Sequence, residues 1–344
     1  MERSEAKQLV VKAGLELLNS GLIARTWGNV SCRIDDETFA ITPSGREYQT
    51  LTEDDIVEVK IKDLSYRGSI KPSSEKGIHA AVYQLRPDVN FVIHTHQEKA
   101  SAISATGLDY FQPSADFSML GRTIVCAKYA LPGTKALAAN MSRALGITSG
   151  HALVMKNHGA ICFGKGYEDT FLAANQLEAA SGAYINEHGG QIQIEPSPEI
   201  QPVTQEATKL LNAWKASGNQ GQILFCTDYD VVRYSRLGCG LRPLLDDFAQ
   251  IVGAKINTVP NDPSLVFSAL KSASAVMVKD IGAVCLGKDE REAEAVRMIL
   301  SKNCKAYFAS AAFGRPRYIN RLECILMHKV YLGKYSKMAE KNKV

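Results

Sequence analysis

Three histidines carry the most explicit chemistry in this chain. His94 and His96 flank Thr95 at the end of the apolar run Phe91-Val92-Ile93, and His158 lies downstream in Asn157-His158-Gly159. Strand side chains repeat every two residues, so His94 and His96 point to one face and can share an ion. A third imidazole, from the turn after the apolar run Ala152 to Met155, completes a set that leaves one position open for substrate. Zn2+ is the expected ion, although imidazole donors accept other first-row divalent metals. Held by neutral imidazoles, such an ion polarises a ketone carbonyl. It also stabilises the enediolate formed when a neighbouring proton leaves or a carbon-carbon bond breaks.

Strands and turns must position these ligands. Thr38 to Thr42, Phe91 to Ile93, Leu153 to Met155 and Ala160 to Phe163 are short, apolar and rich enough in β-branched or aromatic residues to be strands. Leu9, Val10, Ala13 and Leu17 recur at helical spacing, and Gly21 follows as a stop. Three upstream segments are built to hold an anion, with phosphate as the natural guest. Gly28-Asn29-Val30-Ser31, Thr42-Pro43-Ser44-Gly45 and Pro72-Ser73-Ser74-Glu75 combine polar side chains with small residues that let backbone N–H groups approach a ligand. Taken singly, each also fits an ordinary turn. Ser73 or Ser74 stands where an N-cap is expected, just before the periodic stretch Ile78, Val82, Leu85, and a helix N-terminus attracts negative charge. Glu75 fits a first-turn glutamate favoured by the helix dipole.

Taken in order over residues 1 to about 190, these segments and the histidines resemble the class II aldolase and adducin family. That resemblance implies that His94, His96 and His158 are zinc ligands. It further implies that Gly28, Asn29, Ser44, Gly45, Ser73 and Ser74 form the substrate phosphate pocket, and that Glu75 is the catalytic acid/base. The implied fold is α/β, a three-layer α/β/α sandwich, whereas pattern alone leaves α/β and α+β open. The implied activity is a zinc-dependent lyase reaction, retro-aldol cleavage of a phosphorylated ketose. Alternatives within the family are a dehydratase of the methylthioribulose-phosphate type and a non-catalytic small-molecule-binding or scaffold member. Family epimerases typically carry Asp where this chain has Glu75, which demotes that activity. One departure stands out: fuculose-phosphate aldolases place a tyrosine after His-x-His, where this chain has Gln112-Pro113-Ser114-Ala115-Asp116, with Tyr110 nearby.

An internal repeat organises the second half. Ala275 to Lys288 echoes Leu153 to Lys165, so His158 corresponds to Ile281, and a looser register sets Cys226-Thr227-Asp228 against His94-Thr95-His96. No counterpart of the anion-holding segments precedes it, which predicts a smaller, degenerate copy of the fold without a metal site. The Pro/Gly-rich stretch 191–203 reads as a linker between a catalytic domain, 1–190, and this second domain, 204–344. Family members form fourfold rings, so a homo-oligomer is expected, either a tetramer or a dimer arranged as a pseudo-fourfold ring. Tyr229, Arg233 or Tyr234 from a neighbour would then be candidates to replace the missing tyrosine.

Composition sets limits. A net charge of +4, with no basic stripe interleaved with aromatics, excludes nucleic acid as the expected partner. Lys329 to Lys343 reads as a solvated tail. Eight cysteines without a Cys-x-x-Cys pair sit mainly in apolar runs, as reduced thiols do. With a charged start, Glu2 to Lys7, and no apolar run of membrane length, a cytoplasmic protein is expected, with no membrane partner.

Overall fold

The computed structural model describes residues 1–23, 27–188, 200–314 and 316–341. The chain forms two compact units, Met1–Gly189 and Gly190–Val344. In chain order the first contains α1 (Arg3–Asn19), β1 (Asn29–Arg33), β2 (Thr38–Ile41), β3 (Val57–Lys60), α2 (Lys76–Leu85), β4 (Phe91–Thr95) and α3 (Glu98–Ser104). There follow β5 (Tyr110–Phe111), β6 (Ile124–Ala127), α4 (Lys135–Leu145), β7 (Ala152–Met155), β8 (Ala160–Gly164) and α5 (Tyr167–Glu187). Its eight strands make one sheet, ordered β3-β2-β1-β4-β8-β7-β6-β5. Every pairing is antiparallel except β6 with β7.

Every residue of β1, β2, β4, β7 and β8 is buried, because helices cover both faces of the sheet. That is why these strands read as apolar runs rather than as alternations. On one face α2 and α4 pack together, burying Ile78, Val82, Leu137 and Met141 over Val92, Leu153, Ile161 and Phe163. Helices α1, α3 and α5 form the other layer; Phe91 and Ile93, the alternate residues of β4, lie on the opposite face from Val92. This is the α/β/α sandwich expected. The anion-holding segment Gly28-Asn29-Val30-Ser31 runs mostly along the strand Asn29–Arg33. Only Gly28 turns, and Asn29 already pairs with His94 on the neighbouring strand.

The second unit contains α6 (Ile200–Ala216), β9 (Gln222–Cys226), α7 (Tyr229–Ser235), α8 (Asp246–Ile251), β10 (Thr258–Val259) and α9 (Pro263–Leu270). After these come β11 (Ala275–Val278), β12 (Gly282–Gly287), α10 (Glu290–Ala312) and α11 (Arg321–Lys341). Its sheet order, β10-β11-β12-β9, repeats β6-β7-β8-β4 with every strand sense retained, including the one parallel pair. The second unit is therefore a smaller α/β copy of the larger sheet's centre.

Two expectations need correction. The linker 191–203 ends early, since α6 begins at Ile200; Pro202 falls in its first turn, where no helical N–H bond is lost. Residues 191–199 lie outside the described residues. The lysine-rich C-terminal segment, expected as a solvated tail, is helical through Lys341, its Leu, Met, Ala, Glu and Lys being good helix formers.

Candidate metal centre

His94 is the fourth residue of β4 and shares the face of Val92, the face covered by α2. Its Nδ1 lies 2.8 Å from the carbonyl of Ala160 on β8 and donates to it, leaving Nε2 with a lone pair. Around that Nε2 stand His96 Nε2 at 2.9 Å, His158 Nε2 at 3.1 Å and Glu75 Oε2 at 3.1 Å. Glu75 Oε1 lies 3.1 Å from His158 Nε2. The three imidazole ligand atoms fall within 4.8 Å of one another. Electron-rich atoms crowded this closely repel unless positive charge sits among them. The donor set of three imidazoles thus fits a divalent cation.

The backbone bends tightly to achieve this. The β7–β8 turn needs a left-handed residue at Asn157, φ 57°, and asparagine tolerates that conformation better than most. Gly159 follows where a Cβ would come within 2.3 Å of the Thr95 carbonyl, so only glycine lets β8 approach the ligand strand.

Glu75 reaches the cluster from the start of α2. It occupies the N-cap position, φ −100°, but its side chain makes no capping bond. The serines expected as caps behave otherwise: Ser73 Oγ accepts the backbone N–H of Glu75 at 3.2 Å, and Ser74 is exposed. The carboxylate is thereby turned inward to the imidazoles. Burial alone would push its pKa up; the imidazoles of His94 and His158 outweigh that and hold the carboxyl well below its usual range.

Of the predicted anion-holding residues, Ser44, Gly45 and Ser74 are exposed, Gly28 is half-buried, and Asn29 and Ser73 are buried. The segments meet through a bridge between Pro43 and Pro72, with Ser44 N–H donating to Lys71 and Ser73 N–H to Thr42. Gly133 approaches Ser74 from a loop that sequence reading did not single out. Asn29 is engaged more deeply than a loop residue would be. Its Nδ2 donates to Glu75 Oε2 at 3.1 Å, and its Oδ1 meets His79 Nε2.

His79, Ser31 and Tyr83 were also missed, although Glu75, His79 and Tyr83 at intervals of four residues are a legible helical stripe. Ser31 Oγ lies 2.6 Å from His79 Nδ1 and 2.8 Å from the Tyr83 hydroxyl, and all of these groups are buried. Burial pushes His79 down to about 3, with His94 adding to the effect and Glu75 opposing it, so His79 is neutral near pH 7.

Other expectations shift. Tyr110, near the place of the missing tyrosine, is 58% exposed on β5. Tyr234 is buried with its hydroxyl on Gly240, which removes it as a residue offered to a neighbour, and Arg233 stacks 3.9 Å from the Phe308 ring. In the second unit Thr95 corresponds to Cys226, because Thr95 pairs with Ala160 as Cys226 pairs with Ala283. The positions of His94 and His96 are therefore Phe225 and Thr227, one residue before the register read from sequence. The segment from β9 to β12 is shorter than that from β4 to β8, and a register carried back across that gap slips. His158 corresponds to Ile281, which packs in an apolar core. Among the described residues the histidine trio is the one cluster able to hold a metal.

The sequence profile of the family described as Class II Aldolase and Adducin N-terminal domain matches residues 8–185. The chain belongs to that family. It is 34% identical over 188 residues to L-fuculose phosphate aldolase of Escherichia coli strain K12, covering 54% of this chain and 85% of the relative. It is 35% identical over 188 residues to 5-methylthioribulose-1-phosphate/5-deoxyribulose-1-phosphate aldolase of Escherichia coli O45:K1 strain S88, with the same coverage, 54% and 85%. Among solved structures, L-fuculose 1-phosphate aldolase superposes with a TM-score of 0.51 at 28% identity, over 60% of this chain and 97% of that one. The family relatives are thus sugar-phosphate aldolases, which are lyases, and they match the first unit. No described helix is long and apolar enough to cross a membrane.

Proposed function

We propose that this chain is a zinc-dependent lyase that cleaves a phosphorylated ketose, such as a ketose 1-phosphate, into dihydroxyacetone phosphate and an aldehyde. The observation that carries this reading is the convergence of His94, His96, His158 and Glu75 on one point. His94, His96 and His158 would hold the ion. When bound, it supplies a Lewis acid that draws electron density from the ketose carbonyl and offsets the charge developing there. Ser44, Gly45 and Ser74, exposed beside the bridge between Pro43 and Pro72, receive the phosphate, with Gly28, Asn29 and Ser73 behind them.

Glu75 moves the proton. Cleavage sends the electron pair of the C3–C4 bond onto the three-carbon fragment, and the C4 hydroxyl passes its proton to the Glu75 carboxylate as the aldehyde forms. Glu75 returns one proton to C3, so the reaction is balanced. In the synthetic direction its carboxylate removes that proton, a task suited to a group held ionised. Similarity to a methylthioribulose-phosphate relative that is itself an aldolase favours carbon-carbon cleavage over dehydration. The working form is proposed to be a cytoplasmic homo-oligomer, a dimer or tetramer, measurable by size exclusion with light scattering.

The test is a panel of ketose 1-phosphates with added zinc, following dihydroxyacetone phosphate release. Glu75→Gln should lower kcat by about 10²–10⁴-fold while the bound zinc per chain is unchanged. Absence of turnover across the panel, or turnover indifferent to Glu75, would refute the lyase reading.

A further inference from the structure

Behind Glu75 runs a buried polar seam in a layer that is otherwise hydrocarbon. Strand β1 contributes Asn29 and Ser31, two residues apart and so on one face; α2 contributes His79 and Tyr83, four apart and so on one stripe. Around them pack Ile78, Val82, Val92 and Ile161. In such a medium every donor needs an acceptor, since an unpaired buried polar group costs about 1–3 kcal/mol.

The pairing has only one consistent direction. Glu75 is a carboxylate and accepts only, so Asn29 must face it with Nδ2, as observed at 3.1 Å. Asn29 Oδ1 then needs a donor, which only an N–H at His79 Nε2 supplies. A neutral imidazole protonated at Nε2 carries a lone pair at Nδ1, and that accepts the Ser31 hydroxyl proton at 2.6 Å. Ser31 Oγ in turn accepts from the Tyr83 hydroxyl at 2.8 Å, and burial keeps that phenol protonated. Reversing the Asn29 amide would set two acceptors, Oδ1 and the carboxylate, against each other.

We propose that His79 is a positioning residue of the site: as the Nε2–H tautomer it locks the Asn29 amide in the orientation that donates to Glu75, and so aims the carboxylate at the reacting carbon. This rests on Glu75 as the proton carrier. His79 touches neither substrate nor ion; it acts through Asn29. Carboxylate aim matters because misplacing a reacting group by about 1 Å can cost ~10²-fold in rate.

Two substitutions separate this role from packing. His79→Gln puts an amide N–H close to the position of Nε2 and keeps the donor to Asn29. His79→Asn places its amide near Nδ1 and keeps only the Ser31 side. His79→Asn should lower kcat by about 10²-fold with KM changed less than ~3-fold, whereas His79→Gln should stay within about 5-fold of the parent. Zinc content should be unchanged in both. Equal impairment of the two variants, or none in either, would overturn the proposal. A second measurement is independent of turnover. In the metal-free protein labelled with 15N-histidine, the ring signals missing from His79→Gln identify His79 among the seven histidines. The expected pattern is the neutral Nε2–H tautomer, and an Nδ1–H or doubly protonated ring would overturn the proposal. If no ketose phosphate is cleaved, the lyase reading fails alone, and the tautomer still decides the role of His79.

Discussion

The turn from β7 to β8 and the turn from β11 to β12 share a left-handed residue and a glycine but carry different side chains between them. Each places a left-handed residue first, Asn157 at φ 57° and Asp280 at φ 64°. Two residues on stands a glycine, Gly159 or Gly282, where a Cβ would come within 2.3 Å of the carbonyl of Thr95 or Cys226 on the adjoining strand. Between them the first turn carries His158 and the second Ile281, one aimed at a carboxylate and the other packed among Val276, Val278 and Val284. The glycine and the left-handed residue therefore serve the close approach of two strands, not metal binding. The candidate metal site resides in three side chains, in Glu75 and in the strands beside it; the second unit's sheet lacks counterparts of β1, β2 and β3, although α6 precedes β9 and packs on α9 as α2 precedes β4 and packs on α4.

The helices after the first strand show the same division. Gln97 precedes α3 as Asp228 precedes α7, with nearly identical backbone angles. In the first unit Glu178 reaches from α5 to accept the N–H groups of Lys99 and Ala100 at the start of α3. In the second, Ser301 occupies the matching place on α10, and its hydroxyl donates to Asp228 at 2.5 Å, with Arg297 beside it. The polar partner has moved from one element to the other while both helices start alike.

Making the first turn like the second should have the largest effect. His158→Ile fits a backbone already known to carry isoleucine, so the fold should survive. The site, left with two imidazoles, should lose zinc on dialysis, and activity should fall by at least about 10³-fold, the combined loss of cation and geometry. Metal analysis beside circular dichroism checks this. Retained stoichiometric zinc would show that His158 is no ligand, and loss of structure would show that the two backbones are not interchangeable.

How far such a site can be read in advance depends on which contacts are local. His94 and His96 were legible because a strand forces alternate residues to one face, and His158 because its turn has a recognisable Asn-x-Gly form. Glu75 was legible only through family resemblance, since a carboxylate before a helix is ordinarily a cap. His79 escaped because its meaning lies in Asn29 and Ser31, neighbours on a strand that pairing with β4, not local pattern, sets against α2. The one-residue slip that paired Cys226 with His94 has a similar origin: hydrophobic pattern fixes register within a strand pair, not across a loop of different length.

Acid should distinguish the units by a smaller amount. The first buries a neutral imidazole at His79; among the described residues of the second, the one histidine, His328, bonds the Gln250 carbonyl and is only partly buried. His79 has its pKa depressed from 6.5 to about 3, so between these values the unfolded chain binds the extra proton. Stability from this group is complete above pH 6.5 and is lost as pH falls toward 3. From pH 6.5 to 5 the loss would reach up to about 2 kcal/mol. Urea midpoints of the metal-free protein at pH 7.5 and 5 should show it, and His79→Gln should flatten the difference. An equal pH slope in parent and variant would remove His79 as its cause.

The smallest effect is a gain. If turn and strands alone set ligand geometry, Phe225→His, Thr227→His and Ile281→His together should bring three imidazoles to one point in the second unit. The outer partner is already there: Ala283, which pairs with Cys226 as Ala160 pairs with Thr95, offers the corresponding carbonyl to a ring at 225. What is missing is a counterpart of Glu75 and of the seam that aims it. Such outer support is worth about 10–100-fold in metal affinity, so the new site should bind zinc that much more weakly than the first. A cobalt titration followed in the visible range should resolve two classes of site per chain. A single class, with the fold intact, would mean that β1 and Glu75 create the geometry rather than refine it.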